Sequence, residues 1–102
     1  MRLIDIKTLR LFWLKHRDAH VPLARWILVA REAQWKSIHD VRRIYSHADA
    51  VVVESGKIAT VFNIAGNKYR LVTAIHYNTR VVYLMFVMTH AEYSSGRWKE
   101  ML

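Results

Sequence analysis

Cysteine is absent from this chain of 102 residues, and proline and glycine are scarce. Without cysteine, neither a disulfide framework nor a thiolate metal site is available. With one proline and three glycines, the composition is not that of a linker or a low-complexity segment. These absences indicate a single domain over residues 1–102, with room for one modest core.

Long apolar runs are also missing. The most apolar early stretch, residues 21–30, is interrupted by Arg25 and is too short to span a bilayer. The N-terminus shows no cationic region leading into an uninterrupted apolar run and a cleavage site. We therefore expect a cytoplasmic protein with no membrane partner.

Acidic residues are few, since eight Asp and Glu stand against sixteen Lys and Arg and the formal net charge is +8. A chain with this balance attracts polyanions and binds them in a salt-sensitive way. RNA or an acidic protein fits the charge. Charge alone never names a partner, so a basic protein without a polyanionic ligand remains an alternative.

The N-terminal half predicts a short edge strand followed by helices. Alternation of charged and apolar residues favours a strand over 2–6, and helical spacing favours helices over 7–16, from Pro22 to about Ala33, and from Ser37 to Tyr45. His16 and His20 have a spacing that binds metal on one helix. The helix is expected to end between them and no third ligand is near, so we expect neither a metal site nor a cofactor.

The C-terminal half predicts strands joined by tight turns. A buried strand is expected near 50–53, followed by strands over 58–64, 68–77 and 80–88, with two-residue turns at Gly66-Asn67 and Asn78-Thr79. Antiparallel pairing then puts Asn63 opposite Arg70 and Thr89 opposite Lys68. These four side chains share one face by alternation, whereas the core face carries Phe62, Tyr69, Leu71, Ile75, Leu84, Phe86 and Met88. A three-residue turn would flip one strand and break this arrangement.

Thr89-His90-Ala91-Glu92 has the form of a capping box and predicts a short last helix from His90. The whole pattern predicts an α+β fold, with two N-terminal helices packed on a twisted, mainly antiparallel sheet. Free amides at the start of the last helix, placed beside Lys68 and Arg70, would suit a phosphate. His90 and Tyr93 are three apart and would share one helix face.

Two motifs resemble those of the HigB-type toxins of bacterial toxin–antitoxin systems, a branch of the RelE-like ribonucleases. They are Asn63-Ile64-Ala65-Gly66-Asn67-Lys68-Tyr69-Arg70-Leu71 and Thr89-His90-Ala91-Glu92-Tyr93. The resemblance extends from Arg2 to about Lys99. It implies a small α+β ribonuclease that cuts messenger RNA, usually on the ribosome. It also implies a cognate HigA-like antitoxin with a helix-turn-helix, through which alone operator DNA would be contacted.

Cleavage by the RNA's own 2′-hydroxyl needs a base, a cation cluster for the phosphorane charge and an acid for the leaving oxygen. We assign the phosphate to Arg70, assisted by Lys68 and the amides at His90. His90 is the candidate acid or base because its ordinary pKa lies near neutrality, and Tyr93 is expected to stack on a base or orient the phosphate. Further RNA contacts are expected from Asn63, Asn67, Lys57 and Thr89.

The second proton-transfer group stays open. Several members of the wider RelE-like group carry further His, Asp or Tyr residues near the C-terminus, whereas this chain ends with residues 97–102 and has none there. The reserve candidates are His39, His47, Lys57 and His76. Two other functions therefore remain, a non-catalytic module that binds RNA or the ribosome, and a basic surface that binds only a protein.

Overall fold

A computed structural model describes residues 1–102 and contains one five-stranded sheet with helices. The elements in chain order are β1 (Arg2–Ile4), α1 (Ile6–Lys15), a 3-10 turn (Arg17–Ala19), α2 (His20–Glu32), α3 (Ile38–Ile44), β2 (Asp49–Val52), β3 (Ile58–Ile64), β4 (Tyr69–His76), β5 (Val81–Thr89), α4 (His90–Ser94) and a last 3-10 helix (Arg97–Met101). The sheet order is β1-β5-β4-β3-β2, with β1 parallel to β5 and every other pair antiparallel. The predicted α+β fold with an edge first strand and a short C-terminal helix is confirmed.

The main core lies between the helices and one face of the sheet. Helical spacing in the sequence predicts that Leu23, Trp26, Ile27, Ala30 and Ala33 form the buried stripe of α2. All but Ala33 are buried, and Leu23, Trp26 and Ala30 are fully enclosed. Trp26 meets Phe62 of β3 edge-on, with ring centroids 5.2 Å apart. This packing fixes the sheet under α1 and α2 and leaves the opposite face for other groups. No helix is long and apolar enough to cross a membrane.

A second, smaller apolar cluster covers the opposite face. It consists of Val53, Ala59, Val61, Val72, Met88 and Trp98. Trp98 comes from the last 3-10 helix and is only 3% exposed, so the tail is anchored on the sheet. The sheet face that carries Asn63 and Arg70 was expected to be polar, but part of it is a second hydrophobic core.

A β-bulge in β5 explains why this face differs from the prediction. Near the second turn Thr73 pairs with Leu84, as a turn at Asn78-Thr79 requires, but beyond it Val72 pairs with Phe86, so Met85 is the extra residue. One inserted residue reverses which side chains of β5 face the helices. Past the bulge, every pairing predicted for β5 is displaced by one.

Three expectations are consequently wrong. Thr89 lies opposite Tyr69 instead of Lys68, and Met88 lies opposite Arg70. Cross-strand neighbours point to the same side, so Met88 lies on the Arg70 face. The predicted core face loses Met88 and, by the same displacement, Phe86. The pairing of Asn63 with Arg70 is confirmed, because that register depends only on the first turn.

The remaining differences are local. β2 was predicted to be buried, but it is an edge strand with Val52 exposed, because only β3 pairs with it. Ile44 was expected to face inward and is 56% exposed at the end of α3. Ser37 makes no capping bond, and the amide of Lys36 instead donates to Asp40 Oδ2 at 2.8 Å.

Candidate active site

Arg70 is a charged residue buried without a counter-ion. It is 8% exposed, in β4 between Asn63 of β3 and Met88 of β5. Its Nη1 donates to the carbonyl oxygens of Asn67 at 3.0 Å and Tyr69 at 3.2 Å, and Nη2 donates to Asn67 Oδ1 at 2.6 Å. The two ion pairs of the chain involve other cations. Nε and the second N–H of Nη2 thus remain free to bind an anion.

Tyr93 packs against the guanidinium, and Trp98 supports Tyr93. The guanidinium carbon of Arg70 lies 5.5 Å from the centroid of the Tyr93 ring, a cation–π arrangement. Trp98 stacks on the Tyr93 ring, with ring centroids 5.3 Å apart and an interplanar angle of 18°. The indole Nε1 of Trp98 also donates to the Tyr93 carbonyl at 3.1 Å. Burial raises the pKa of the Tyr93 phenol, Asp49 raises it further and Arg70 opposes them. Tyr93 is therefore a neutral phenol at physiological pH.

The sequence predicts that Trp98 anchors the tail on the core, and its part in ordering this cluster was missed. The available signal was a second aromatic residue five positions after Tyr93 in a basic segment. That signal does not distinguish an anchor from a partner in a stack. The distinction depends on where the last 3-10 helix folds back.

Lys68 is turned away from the expected phosphate site. Its ammonium group pairs with the carboxylate of Asp18, and the Tyr69 hydroxyl donates to Asp18 Oδ1 at 2.7 Å. The hydrogen bond to Asp18 raises the pKa of Lys68, and the bonds from Lys68 and then Tyr69 lower the pKa of Asp18. Because β4 begins at Tyr69, Lys68 belongs to the turn and strand alternation does not set its direction. Asp18, fifty residues away, gave no local signal for this contact.

The capping box at the start of α4 is confirmed. Thr89 Oγ1 accepts from the Glu92 amide at 3.2 Å, and Glu92 Oε1 accepts from the Thr89 amide at 3.0 Å. The Thr89 backbone bond is the main cause that lowers the pKa of Glu92. The His90 amide donates to the Lys68 carbonyl at 3.1 Å, so it is not free for a phosphate as expected. The His90 ring is exposed, with Nδ1 3.4 Å from Ser94 Oγ.

The structure gathers two predicted RNA-binding residues beside Arg70 and separates the other two. Thr89 lies opposite Tyr69, so it faces away from the Arg70 side, and its hydroxyl caps α4. Asn67 orients Arg70, and Asn63 lies directly opposite Arg70 in β3. Lys57 precedes β3 at its other end, six residues before Asn63, which is roughly 20 Å at the rise of a strand. Lys57 is therefore not part of the cluster around Arg70.

The reserve histidines divide in the same way. His47 lines a groove together with Asn63 and Asn67. His76 ends β4 and meets Tyr83, with ring centroids 5.2 Å apart, and His39 lies in α3. Only His47 comes near the Arg70 cluster.

The pair of histidines at metal-binding spacing is held in separate contacts. His16 stacks on Phe12 with ring centroids 4.3 Å apart, and His20 meets Trp13 at 4.7 Å. No group of three or more His, Asp or Glu side chains is placed to hold a metal ion.

A sequence model of the HigB toxin family, described as the RelE-like toxic component of a toxin–antitoxin system, matches residues 19–96. The chain belongs to this family. No curated protein matches the chain. The match includes both motifs of the Arg70 cluster and stops short of Trp98. Membership in the HigB family supports the role of a toxin and implies an antitoxin partner.

Proposed function

We propose that this HigB-family toxin is an endoribonuclease that cuts messenger RNA on the ribosome, in the cytoplasm and without a metal ion. The observation that carries the proposal is Arg70, a buried guanidinium with no carboxylate partner and with free N–H groups. A buried cation without a counter-ion costs stability, so its presence favours a function that uses the charge. In an RNA substrate, the scissile phosphate supplies the missing anion.

The reaction uses the RNA's own 2′-hydroxyl as nucleophile. The 2′-oxygen attacks phosphorus as its proton passes to a base, and the 5′-oxygen leaves as it takes a proton from an acid. The products are a 2′,3′-cyclic phosphate, which can open to a 3′-phosphate, and a 5′-hydroxyl. Arg70 stabilises the negative charge that grows on the phosphorane, where a positioned donor has its largest effect.

His90 is the proposed proton-transfer group because its imidazole stands at the exposed start of α4. Tyr93, neutral and packed on Arg70, orients the phosphate or stacks on a base. Asn63 and Asn67 are proposed RNA contacts, and Thr89 contributes only through the cap that starts α4. Lys68 takes part only if its ammonium leaves Asp18, so its contribution is secondary.

The proposed inhibitor is a HigA-like antitoxin with a helix-turn-helix, which would also make all contacts with operator DNA. An acidic antitoxin surface would meet a toxin of formal charge +8, so association should be fast and should slow with added salt. Growth arrest by the toxin alone should be relieved by the antitoxin. It should be absent in a folded Arg70→Ala variant.

One observation favours a non-catalytic module that binds RNA or the ribosome. His90 has only Ser94 as a side-chain partner, so no second residue holds its ring in one tautomer. A module of this kind would use the same charge and the same aromatic cluster. It would bind translated messages without producing new ends.

The test is to map the ends produced on translated and untranslated copies of one message, with and without EDTA. We expect 2′,3′-cyclic or 3′-phosphate ends on the translated copy, formed equally in EDTA under conditions that keep ribosomes intact. His90→Ala should abolish these ends with RNA affinity nearly unchanged, whereas His39→Ala in α3 should not. Ends that carry a 5′-phosphate would refute the mechanism, and binding without any cleavage would favour the module.

A further inference from the structure

A polar groove begins beside Arg70 and extends away from the proposed position of the scissile phosphate. It has a volume of about 680 Å³ and is lined by His47, Asn63, Gly66 and Asn67, none of them hydrophobic. A smaller hollow of about 160 Å³ continues it along the loop between α3 and β2, where His47 and Asn63 are again walls. The groove is comparable with small-molecule sites, which measure roughly 300–1,000 Å³.

The groove is joined to the guanidinium by two contacts. Asn63 pairs with Arg70 across the β3–β4 ladder, so their side chains share one face and their Cβ atoms are roughly 5 Å apart. Asn67 accepts hydrogen bonds from Arg70 through its carbonyl oxygen and through Oδ1. A phosphate bound at Arg70 would therefore have its neighbouring nucleotide at the mouth of this groove.

The walls carry hydrogen-bonding groups that the protein itself leaves unused. The side-chain amide of Asn63 and the ring of His47 make no hydrogen bond within the chain, and Asn67 uses only its oxygen. His47 is exposed in the turn before β2. An amide that offers one donor and one acceptor matches the edge of a nucleobase, and an imidazole offers a flat surface for stacking.

We propose that this groove is a nucleobase subsite for the nucleotide next to the phosphate held by Arg70. Asn63 reads the edge of the base and His47 stacks on its face. The proposal rests on the proposed ribonuclease function and adds the residues that set base preference. A protein partner suits the main groove less well, because protein interfaces depend on buried aromatic or aliphatic anchors and its walls offer none; apolar walls occur only in the smaller hollow.

The first experiment maps cleavage ends for the wild type, Asn63→Ala and His47→Ala on one translated message, with His76→Ala as the control. We expect Asn63→Ala to weaken the wild-type base preference about tenfold. His47→Ala should lower the cleavage rate at all sites about five- to 150-fold, since stacking does not depend on sequence. His76→Ala, at the far end of β4, should leave both unchanged. Wild-type preference and rate in both groove variants would overturn the subsite and leave the ribonuclease intact.

The second experiment does not require cleavage. The full chain is titrated with each of the four nucleoside 3′-monophosphates, and with inorganic phosphate as the control, while the side-chain NMR signals of Asn63 and His47 are followed. We expect these signals to move with the nucleotides, to different extents for different bases, and to stay in place with phosphate alone. Equal movement with phosphate would refute base binding. Movement with nucleotides in a chain that cuts no message would uphold the groove and reject the ribonuclease.

Discussion

Replacing Arg70 with methionine should abolish cleavage with little change in folding stability. Methionine fills a similar volume without charge, so Arg70→Met removes the buried cation and keeps an apolar stem opposite Met88. A residue kept for folding would behave differently, because its loss would lower activity and stability together.

The expected magnitudes follow from the contacts of Arg70. Its three hydrogen bonds involve a charged donor and are worth roughly 1.5–3 kcal/mol each. Against them stands the cost of burying an unpaired ion, which is on the order of several kcal/mol. These contributions oppose each other, so the free energy of unfolding should change by less than about 4 kcal/mol. Loss of one preorganised charge at the phosphate should lower the rate on the order of 10²-fold or more.

The assay is single-turnover cleavage of a message on programmed ribosomes, together with urea unfolding of each variant. Arg25→Met and Arg80→Met serve as matched controls, since they remove the same charge from exposed positions outside the cluster. They should retain activity within a few-fold of the wild type. Equal losses in all three variants would mean that positive charge acts diffusely and that the site is wrongly assigned. A loss of stability above about 4 kcal/mol in Arg70→Met would refute the claim that its burial is costly.

Three further predictions concern the groups around Arg70. Trp98→Phe keeps a ring on Tyr93 and should retain kcat within about threefold. Trp98→Ala should lower kcat about tenfold or more, with less effect on KM. Both constants are measured under conditions where urea titration shows that both variants are folded. Asp18→Asn should return the raised pKa of Lys68 toward its ordinary value and free its ammonium group. RNA binding, measured by fluorescence anisotropy, should therefore tighten, and the slope of log affinity against log salt concentration should steepen by about 0.7. An unchanged slope would exclude Lys68 from RNA binding. The lowered pKa of Glu92 means that its cap stabilises the fold above the ordinary value of 4.5 and is lost as the pH falls through the folded value. The stability difference between the wild type and Glu92→Ala should accordingly shrink from pH 6 to pH 3, and a constant difference would contradict this origin of the shift.

The parts of the fold that depend on local chemistry were predictable. Strand β3 has the predicted bounds, and Asn63 faces Arg70 because the turn around Gly66 sets that register by itself. The start of α4 was equally predictable, since a capping box is complete within the four residues from Thr89 to Glu92.

The parts that depend on distant residues were not predictable. The bulge at Met85 changes which side of the sheet Met88 faces, and alternation gives no sign of it because both faces of β5 are apolar. The pairing of Lys68 with Asp18 joins the β3–β4 turn to the 3-10 turn between α1 and α2, across fifty residues. Such contacts are decided by packing of the helices on the sheet, which no local pattern records.

The apolar neighbour of Arg70 in β5 helps to explain how this residue can act as a single strong charge in a chain with sixteen basic residues. Met88 lies opposite Arg70 across the β4–β5 ladder, and β5 contains no carboxylate, so an apolar side chain and not an anion neighbours the guanidinium on that side. Electrostatic attraction to a phosphate is stronger in such surroundings than at an exposed arginine.

This explanation predicts the effect of supplying a counter-ion at the same position. Met88→Glu should place a carboxylate beside the guanidinium, across the β4–β5 ladder, where it would compete with the phosphate for the free N–H groups. Met88→Gln has nearly the same shape without the charge and is the matched control. We expect cleavage by Met88→Glu to fall on the order of 10²-fold, as in Arg70→Met, and Met88→Gln to stay within about tenfold of the wild type. Equal rates in the two variants, both folded by urea titration, would show that the missing counter-ion is not what makes Arg70 available to RNA.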